Sequence, residues 1–253
     1  MSKESFSLFR GQLMGAKKYI ALKALSLAEK AHEGVMRKDK VTPYIEHPAK
    51  VASMLFELGI QDDNILATAL LHDVLEDCKD GEITKQVFND FPKEVSDAVF
   101  CLSKNNYRGN EEYYEAIQES PIATIVKLAD RAHNLSTVDS FTDDKKKKYV
   151  AETIKYVYPL IKYAQHNYYE LSCQIRMFDL WIEGLVKILA GPCNYNDELE
   201  SINILRKKDP NLWWVKTDNN VKDYSDDITG SDWDELTEQE FDVLHRVLTK
   251  EYV

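Results

Sequence analysis

Residues 70–77 read LLHDVLED and follow the apolar run ILATA. His72 and Glu76 lie four residues apart, and so do Asp73 and Asp77. The four polar side chains therefore occupy adjoining stripes of one predicted helix. Burying such groups is expensive, and acidic groups near a helix C-terminus oppose the helix dipole. The pattern favours a metal- or phosphate-linked role over the alternative, a helix end that emerges into solvent.

The rest of the chain predicts helices too, because apolar side chains recur every three or four residues between Pro, Gly and polar breaks. We therefore expect an all-α fold, a helical bundle with a mostly helical C-terminal extension. The predicted helices are Lys17 to His32, Pro48 to Gly59, Ile65 to about Asp77 with Asp62 or Asp63 as cap, Thr84 to Phe91, Glu94 to Leu102, Glu111 to Glu119, Ile122 to about Val138, a long helix from about Asp143 that Pro159 kinks or breaks, Leu160 to Tyr169, Leu171 to Ala190, and Asp234 to about Tyr252.

Composition sets the class of protein. The chain has 253 residues, of which 44% are hydrophobic and 30% charged, with only 9 Gly and 7 Pro. This balance excludes a low-complexity chain and a many-turned all-β sandwich. The longest nearly apolar stretch, Ile65 to Leu71, is far below the roughly 20 residues of a membrane span, and the start MSKESFSLFR lacks the apolar region of a secretory leader. We expect a cytoplasmic protein with no membrane partner, and free thiols at Cys78, Cys101, Cys173 and Cys193.

Charge is distributed unevenly along the chain. The net charge is −11, but residues 218–242 alone hold ten acidic residues and one basic residue, Lys222. Residues 1–217 hold 29 basic and 32 acidic residues, so a local basic pocket for an anion is compatible with this part of the chain. The only basic run, Lys145 to Lys148, is typical of a solvated helix surface. We expect no nucleic-acid partner.

A second helix carries a polar stripe on an otherwise apolar background. This helix, Ile122 to about Val138, includes the motif KLADRAHNLST. Its polar residues at relative positions i, i+3, i+7 and i+10 share one face, whereas Arg131 and His133 are expected to point elsewhere. Such a face could line a pocket with one metal ligand and several hydrogen-bonding groups. The stripe consists of Lys127, Asp130, Asn134 and Thr137.

Histidines and carboxylates recur along the chain in the order H…HD…D. Two imidazoles and two carboxylates suit a divalent transition metal or a magnesium-like ion. A lone buried histidine is more often a satisfied core residue, so His47 taken by itself would not indicate a ligand. The four candidates together predict a metal centre, and they are His47, His72, Asp73 and Asp130.

Six motifs in sequence order carry a family resemblance. They resemble the metal-dependent HD hydrolase domain of RelA/SpoT-type alarmone enzymes, and in particular the stand-alone small alarmone hydrolases of the metazoan SpoT homologue type. The similarity runs from about Ala16 to Tyr168. The motifs are Arg37-Lys38, PYIEHP at residues 43–48, LLHDVLED at 70–77, LSK at 102–104, KLADRAHNLST at 127–137 and ETIKYVYPL at 152–160.

The resemblance implies roles for particular residues. It implies that one Mn²⁺ ion is held by His47, His72, Asp73 and Asp130, and that Glu76 and Asp77 are the catalytic acids. It further implies a nucleotide site lined by Arg37, Lys38, Tyr44, Asn134 and Thr137. The implied reaction is removal of the 3′-diphosphate from ppGpp or pppGpp, which leaves GDP or GTP and pyrophosphate. Two alternatives stay open: an HD phosphohydrolase acting on NADPH or adenine alarmones, and a catalytically silent alarmone-binding regulator.

The chain departs from the family pattern at several places. RKDKVT stands where a glycine-bearing RKSG-like turn is usual, the loop between Arg37 and His47 is one residue longer, and Val35 replaces a glutamine. His32 matches a family histidine, for which we expect packing at a helix end and not metal ligation.

The resemblance predicts the domain organisation as well. Residues 1–168 would form the HD-type phosphohydrolase domain, and residues 169–253 an extension of unknown function with the acidic segment 218–242. That segment is interpreted as a solvated linker, with an interaction module or a lid over the Arg37 and Lys38 loop as alternatives. Trp213, Trp214 and Trp233 are expected to pack the extension onto the core or a second subunit. A homo-oligomer and an alarmone-synthetase toxin as counterpart are both compatible with this organisation.

Overall fold

A computed structural model describes residues 3–138 and 141–189. The predictions for the acidic segment 218–242, for the three tryptophans at 213, 214 and 233, and for a last helix from Asp234 lie outside the described residues. Within the described ranges, every helix is too short or too polar to cross a lipid bilayer.

The described part of the chain is helical, which confirms the all-α prediction. Its one β feature is an isolated antiparallel bridge between Met36 and Pro43 in the loop before α3. The helices are α1 Lys3–Gly15, α2 Tyr19–Ala31, α3 Glu46–Glu57, α4 Asp63–Leu71, α5 Val74–Asp77, α6 Gly81–Asn89, α7 Lys93–Leu102, α8 Asn110–Gln118, α9 Pro121–Leu135, α10 Asp143–Glu152, a π-helical turn Thr153–Val157, α11 Tyr158–Asn167 and α12 at residues 172–189.

Helix α4 forms the centre of the bundle. All residues from Ile65 to Leu71 are buried, as expected for a helix that is apolar on every side. It packs against α2, α3, α7 and α9. The side chain of Asp62 caps α4 by accepting hydrogen bonds from the backbone N–H groups of Asn64 and Ile65. Asp63 instead accepts from the first backbone N–H groups of α2, so the two neighbouring aspartates fix two helices against each other.

The predicted helix Ile65 to Asp77 is wrong in one respect, because it is interrupted after Leu71. Helix α4 ends there, and α5 begins at Val74 with Asp73 as its N-cap residue. Neighbouring residues of an unbroken α-helix diverge by about 100° around the axis. The interruption brings the side chains of His72 and Asp73 together, with Nε2 and Oδ2 3.2 Å apart.

Two elements at the ends of the described range add to the core. The sequence did not predict α1, whose residues Phe9 and Leu13 are buried while Leu8 is exposed. Helix α12 buries four apolar residues spaced three or four apart in the same core cluster, and they are Ile175, Phe178, Ile182 and Val186. The domain boundary at residue 168 stays a prediction.

The predicted break at Pro159 is present as a π-helical turn. Pro159 has no N–H group to donate to the carbonyl four residues earlier, so regular α-helical bonding cannot run through this position. The chain forms the wider turn Thr153–Val157 and then continues as α11. Both flanking helices stay packed, with Val150 and Leu160 buried.

Candidate metal centre

Three predicted ligands meet where α3 passes the junction of α4 and α5. One ligand atom of each residue lies within 4.8 Å of the others. His47 Nε2 is 3.3 Å from His72 Nε2 and 3.5 Å from Asp73 Oδ2. Both histidines are buried. The nitrogen and oxygen lone pairs of three side chains thus converge on one small volume.

Asp130 of α9 faces the same volume. Its Oδ1 lies 3.1 Å from His47 Nε2 and 3.8 Å from His72 Nε2. Two imidazole nitrogens with carboxylate oxygens form a donor set that suits a divalent transition metal. The residues present therefore fit the metal ion that the sequence pattern indicates.

The electrostatics of the centre reflect its crowded acidic and imidazole groups. Burial lowers the pKa of His72, but the charge and hydrogen bond of Asp73 and the charge of Asp130 outweigh burial and raise the pKa to about 9. Burial opposes ionisation of both aspartates, yet nearby cationic groups hold their pKa values below the usual range. These groups are chiefly His72 for Asp73 and Lys127 for Asp130.

Side chains outside the proposed ligand set hydrogen-bond to both carboxylates. Tyr44 donates from its hydroxyl to Asp73 Oδ2 at 2.8 Å. Lys127 Nζ donates to Asp130 Oδ2 at 3.1 Å, and Asn134 Nδ2 donates to Asp130 Oδ1 at 2.5 Å. The polar stripe of α9 thus holds Asp130 from two sides. Such outer hydrogen bonds fix the direction in which a carboxylate presents its oxygens.

Glu76 and Asp77, on the short helix α5, differ in environment. Glu76 is partly buried and accepts a hydrogen bond from the backbone N–H of Lys104, in the predicted LSK motif. Burial raises the pKa of Glu76 despite that hydrogen bond. Asp77 is exposed, and its charge lies close enough to raise the pKa of Tyr44 together with burial and Asp73.

Basic side chains line one side of the centre. Arg37 Nη2 lies 3.4 Å from Thr137 Oγ1 on the last turn of the α9 region. Lys38 Nζ lies 5.0 Å from the ring centre of Phe141, and Lys145 Nζ lies 3.9 Å from the same centre. The contact with Lys145, followed by burial, lowers the pKa of Lys38. Lys145 was expected only as solvated surface, and it extends the basic side chains predicted at Arg37 and Lys38.

Two further histidines flank the centre. The Nδ1 atom of His133 lies 2.8 Å from Nδ1 of His47, so the prediction that His133 points elsewhere is wrong. Burial, followed by the charges of His47 and Arg37, lowers the pKa of His133 to about 3. His32 is buried and packs its ring on Tyr44 with ring centres 4.8 Å apart, which agrees with the packing role expected for it. Its burial lowers its pKa.

Comparison with protein families assigns the chain. The model described as "HD domain" matches residues 24–162, more than half of the chain, and this range includes the whole centre. The chain belongs to the HD domain family. A divalent metal ion is a property of HD hydrolase domains, and the His47, His72 and Asp73 cluster is where this HD domain would hold it.

Curated relatives share this HD domain. The guanosine-3′,5′-bis(diphosphate) 3′-pyrophosphohydrolase of Haemophilus influenzae is 34% identical over 192 residues, which are 70% of this chain and 28% of that protein. The enzyme of the same name from Aquifex aeolicus is 35% identical over 144 residues, 54% of this chain and 20% of that protein. The chain thus spans less than a third of the length of these relatives.

A solved structure is also similar to this HD domain. Its description reads "A metazoan ortholog of SpoT hydrolyzes ppGpp and plays a role in starvation responses". The two chains are 22% identical, and the alignment covers 74% of this chain and 95% of the other with a TM-score of 0.46.

Proposed function

We propose that the protein is a metal-dependent phosphohydrolase that removes the 3′-diphosphate of ppGpp or pppGpp. The observation that carries the proposal is the convergence of His47, His72, Asp73 and Asp130 inside a chain of the HD domain family. The names of the Haemophilus and Aquifex relatives support this substrate class.

We assign the metal ion as Mn²⁺, held by His47, His72, Asp73 and Asp130. When bound, such an ion lowers the pKa of a coordinated water and neutralises phosphate oxygens. The mixed nitrogen and oxygen donor set supports a first-row transition metal more than an all-oxygen magnesium site.

Glu76 and Asp77 are the proposed catalytic acids. Burial raises the pKa of Glu76, which makes its carboxylate a better acceptor for a proton from the attacking water. In the reaction, water adds to the phosphorus bonded to the 3′-oxygen, the P–O3′ bond breaks, and the 3′-oxygen leaves with a proton. GDP or GTP and pyrophosphate are the balanced products.

The proposed nucleotide site lies beside the metal centre. Arg37 and Lys38 offer positive charge for phosphate groups. Asn134, Thr137 and Tyr44 complete its lining. Tyr44 has a second part in this proposal, because its hydroxyl hydrogen-bonds to Asp73 and so couples the nucleotide wall to a metal ligand. A homo-oligomer and an alarmone-synthetase counterpart stay predictions.

The deciding experiment measures pyrophosphate released from ppGpp by the purified protein with Mn²⁺. Phosphate release from NADPH and pyrophosphate release from an adenine alarmone are measured in parallel. Asp73→Ala is the blank. Metal-dependent pyrophosphate release from ppGpp that Asp73→Ala abolishes is the expected result. Turnover of NADPH or the adenine alarmone alone would move the activity to those substrates, and ppGpp binding without turnover would identify a regulator.

The two proposed acids are tested in the same assay. Glu76→Gln keeps the size of the side chain and its ability to accept from the Lys104 N–H, but it cannot take up a proton. We expect turnover to fall by about 100-fold or more with Mn²⁺ affinity nearly unchanged. A Glu76→Gln enzyme with normal turnover would remove Glu76 from the proposed mechanism.

A further inference from the structure

Each proposed metal ligand has a hydrogen-bonding partner outside the ligand set. For His72, Asp73 and Asp130 the partner settles where the protons lie, because each partner can only donate or only accept in its contact. The His72 case is the clearest: Nδ1 faces the carbonyl oxygen of Ala69 at 2.8 Å, so Nδ1 keeps a proton and Nε2 is the nitrogen that would coordinate the metal ion.

His47 is the exception among the four. Its outward nitrogen, Nδ1, meets Nδ1 of His133 at 2.8 Å, and the two rings lie 4.9 Å apart at an angle of 38°. A neutral imidazole carries its proton on one nitrogen or the other. In a hydrogen bond between two Nδ1 atoms, one atom must hold the proton and the other must offer its lone pair. The contact therefore ties the tautomer of His47 to that of His133.

We propose that His133 is a positioning residue, which accepts a hydrogen bond from Nδ1–H of His47 and thereby leaves Nε2 of His47 unprotonated for the metal ion. This inference rests on the proposed metal centre. In this arrangement the proton of His133 lies on its own Nε2. His133 thus does for His47 what the Ala69 carbonyl does for His72.

The opposite tautomer of His47, with its proton on Nε2, would be stabilised by an acceptor in the centre itself. Asp130 Oδ1 lies 3.1 Å from Nε2 of His47 and would accept a proton placed there. That proton would point into the volume where the ligand atoms converge. An acceptor on the other edge of the ring is needed to favour the tautomer that can coordinate. Among the described residues, His133 is the group that contacts this edge.

The test compares two nearly isosteric replacements in the full chain. His133→Asn places an amide oxygen, which accepts, near the position of Nδ1, whereas His133→Leu has the same shape without an acceptor. His166→Leu is the matched control, because His166 is an exposed histidine on α11. Mn²⁺ dissociation constants are measured by calorimetry at one pH, after circular dichroism has shown that each variant melts cooperatively.

We expect His133→Leu to weaken Mn²⁺ binding by about 10- to 100-fold, the usual effect of removing an outer hydrogen bond to a ligand. His133→Asn should stay within about threefold of the wild type, and His166→Leu should match it. Long-range ¹H–¹⁵N NMR of the Zn²⁺-loaded protein, which is diamagnetic, should show the proton of His47 on Nδ1 and that of His133 on Nε2.

Three results would overturn the inference while leaving the metal centre intact: an unchanged Mn²⁺ affinity in His133→Leu, an equally weakened His133→Asn, or a proton on Nδ1 of His133 in the loaded protein. A wild-type protein that binds no Mn²⁺ would instead contradict the proposed function on which the inference rests. Calorimetry of the wild type therefore separates the two failures.

Discussion

Two buried charge clusters lie on opposite sides of helix α9, and they differ in how their charged groups are paired. On one side Arg131, only 2% exposed, donates to Glu152 Oε1 at 2.8 Å and to the Tyr114 hydroxyl at 2.9 Å. Its guanidinium also lies 4.1 Å from the ring centre of Tyr149. On the other side Asp130 joins two imidazoles and a second carboxylate.

The difference lies in how donors meet acceptors. Around Arg131 a cation faces one carboxylate and a hydroxyl, so the charges balance within the protein. Around Asp130, Lys127 pairs with Oδ2, while Oδ1 faces two imidazole nitrogens near a second carboxylate, a donor set that suits a metal ion. Neighbouring positions of one helix thus belong to a balanced ion pair on one side and to the proposed metal centre on the other. A buried charge indicates a functional site only when its partners are considered too.

The largest effect that would test this comparison is on activity. Asp73→Ala removes a carboxylate from the converging set, and we expect turnover of ppGpp to fall by about 10³-fold or more. The unfolding free energy in metal-free buffer should fall by less than the roughly 3 kcal/mol that breaking a buried ion pair costs, because the repulsion between Asp73 and Asp130 offsets part of the attraction between Asp73 and His72. Steady-state kinetics and urea unfolding measure the two quantities.

Asp97→Ala, at an exposed carboxylate paired with Lys93 on α7, is the control for that experiment. It should leave both quantities unchanged. Large destabilisation of metal-free Asp73→Ala would mean that the metal centre is a structural cluster like the one around Arg131.

Arg131→Met should act mainly on the unfolding free energy, in contrast to Asp73→Ala, which should act mainly on turnover. Loss of the guanidinium leaves Glu152 partly buried without its cation, and breaking such a pair costs about 3–5 kcal/mol of unfolding free energy. The double variant Arg131→Met, Glu152→Gln should recover part of this loss, since no charge is left behind. Urea unfolding at neutral pH provides the measurement, and a loss below about 1 kcal/mol would refute a structural role for the pair.

Adding Mn²⁺ should distinguish the two clusters by a smaller change in unfolding free energy. A hundredfold excess of Mn²⁺ over its dissociation constant should raise the unfolding free energy by about 2.7 kcal/mol. We expect this increment in the wild type and in Arg131→Met, but not in Asp73→Ala. Equal increments in all three proteins would show that Mn²⁺ binds elsewhere.

The smallest predicted effect is on the unfolding free energy at acidic pH. Burial opposes ionisation of Glu152, but the charge of Arg131 holds its pKa below the usual range of a glutamate. Because the folded-state pKa is depressed, the contribution to stability is complete above the unfolded-state pKa and is lost as pH falls through the folded-state pKa. The difference in unfolding free energy between the wild type and Glu152→Gln should therefore shrink below about pH 4.5. A constant difference down to pH 3 would contradict this assignment.

Much of the candidate metal centre could be predicted from the sequence because most of its proposed ligands lie in recognisable motifs. LLHDVLED and KLADRAHN placed His72, Asp73 and Asp130 on two polar helix faces, and the two faces meet. The hydrophobic spacing likewise predicted most helices. Helix α1 was not predicted because it has few buried apolar residues, Phe9 and Leu13, and other apolar residues of the same helix, such as Leu8, are exposed.

His133 shows why the rest could not be predicted. Three residues after Asp130, it lies about 60° from that residue around the helix axis, a position between the polar stripe and the apolar side. The contact with His47 of α3 places His133 beside the metal centre, and this is a tertiary contact that the local sequence does not reveal. The break at His72 and Asp73 is similar, because an apolar helical pattern contains no local signal that the chain must turn there.

The π-helical turn Thr153–Val157 has a consequence for how relatives of this chain are aligned. Such a turn contains one residue more than the α-turn it replaces. Deleting one residue there closes the turn and leaves the flanking helices in phase, whereas the same deletion inside α4 rotates every later side chain of that helix by about 100°. Single-residue gaps between homologues therefore belong at this turn, where chain length can vary without repacking the core.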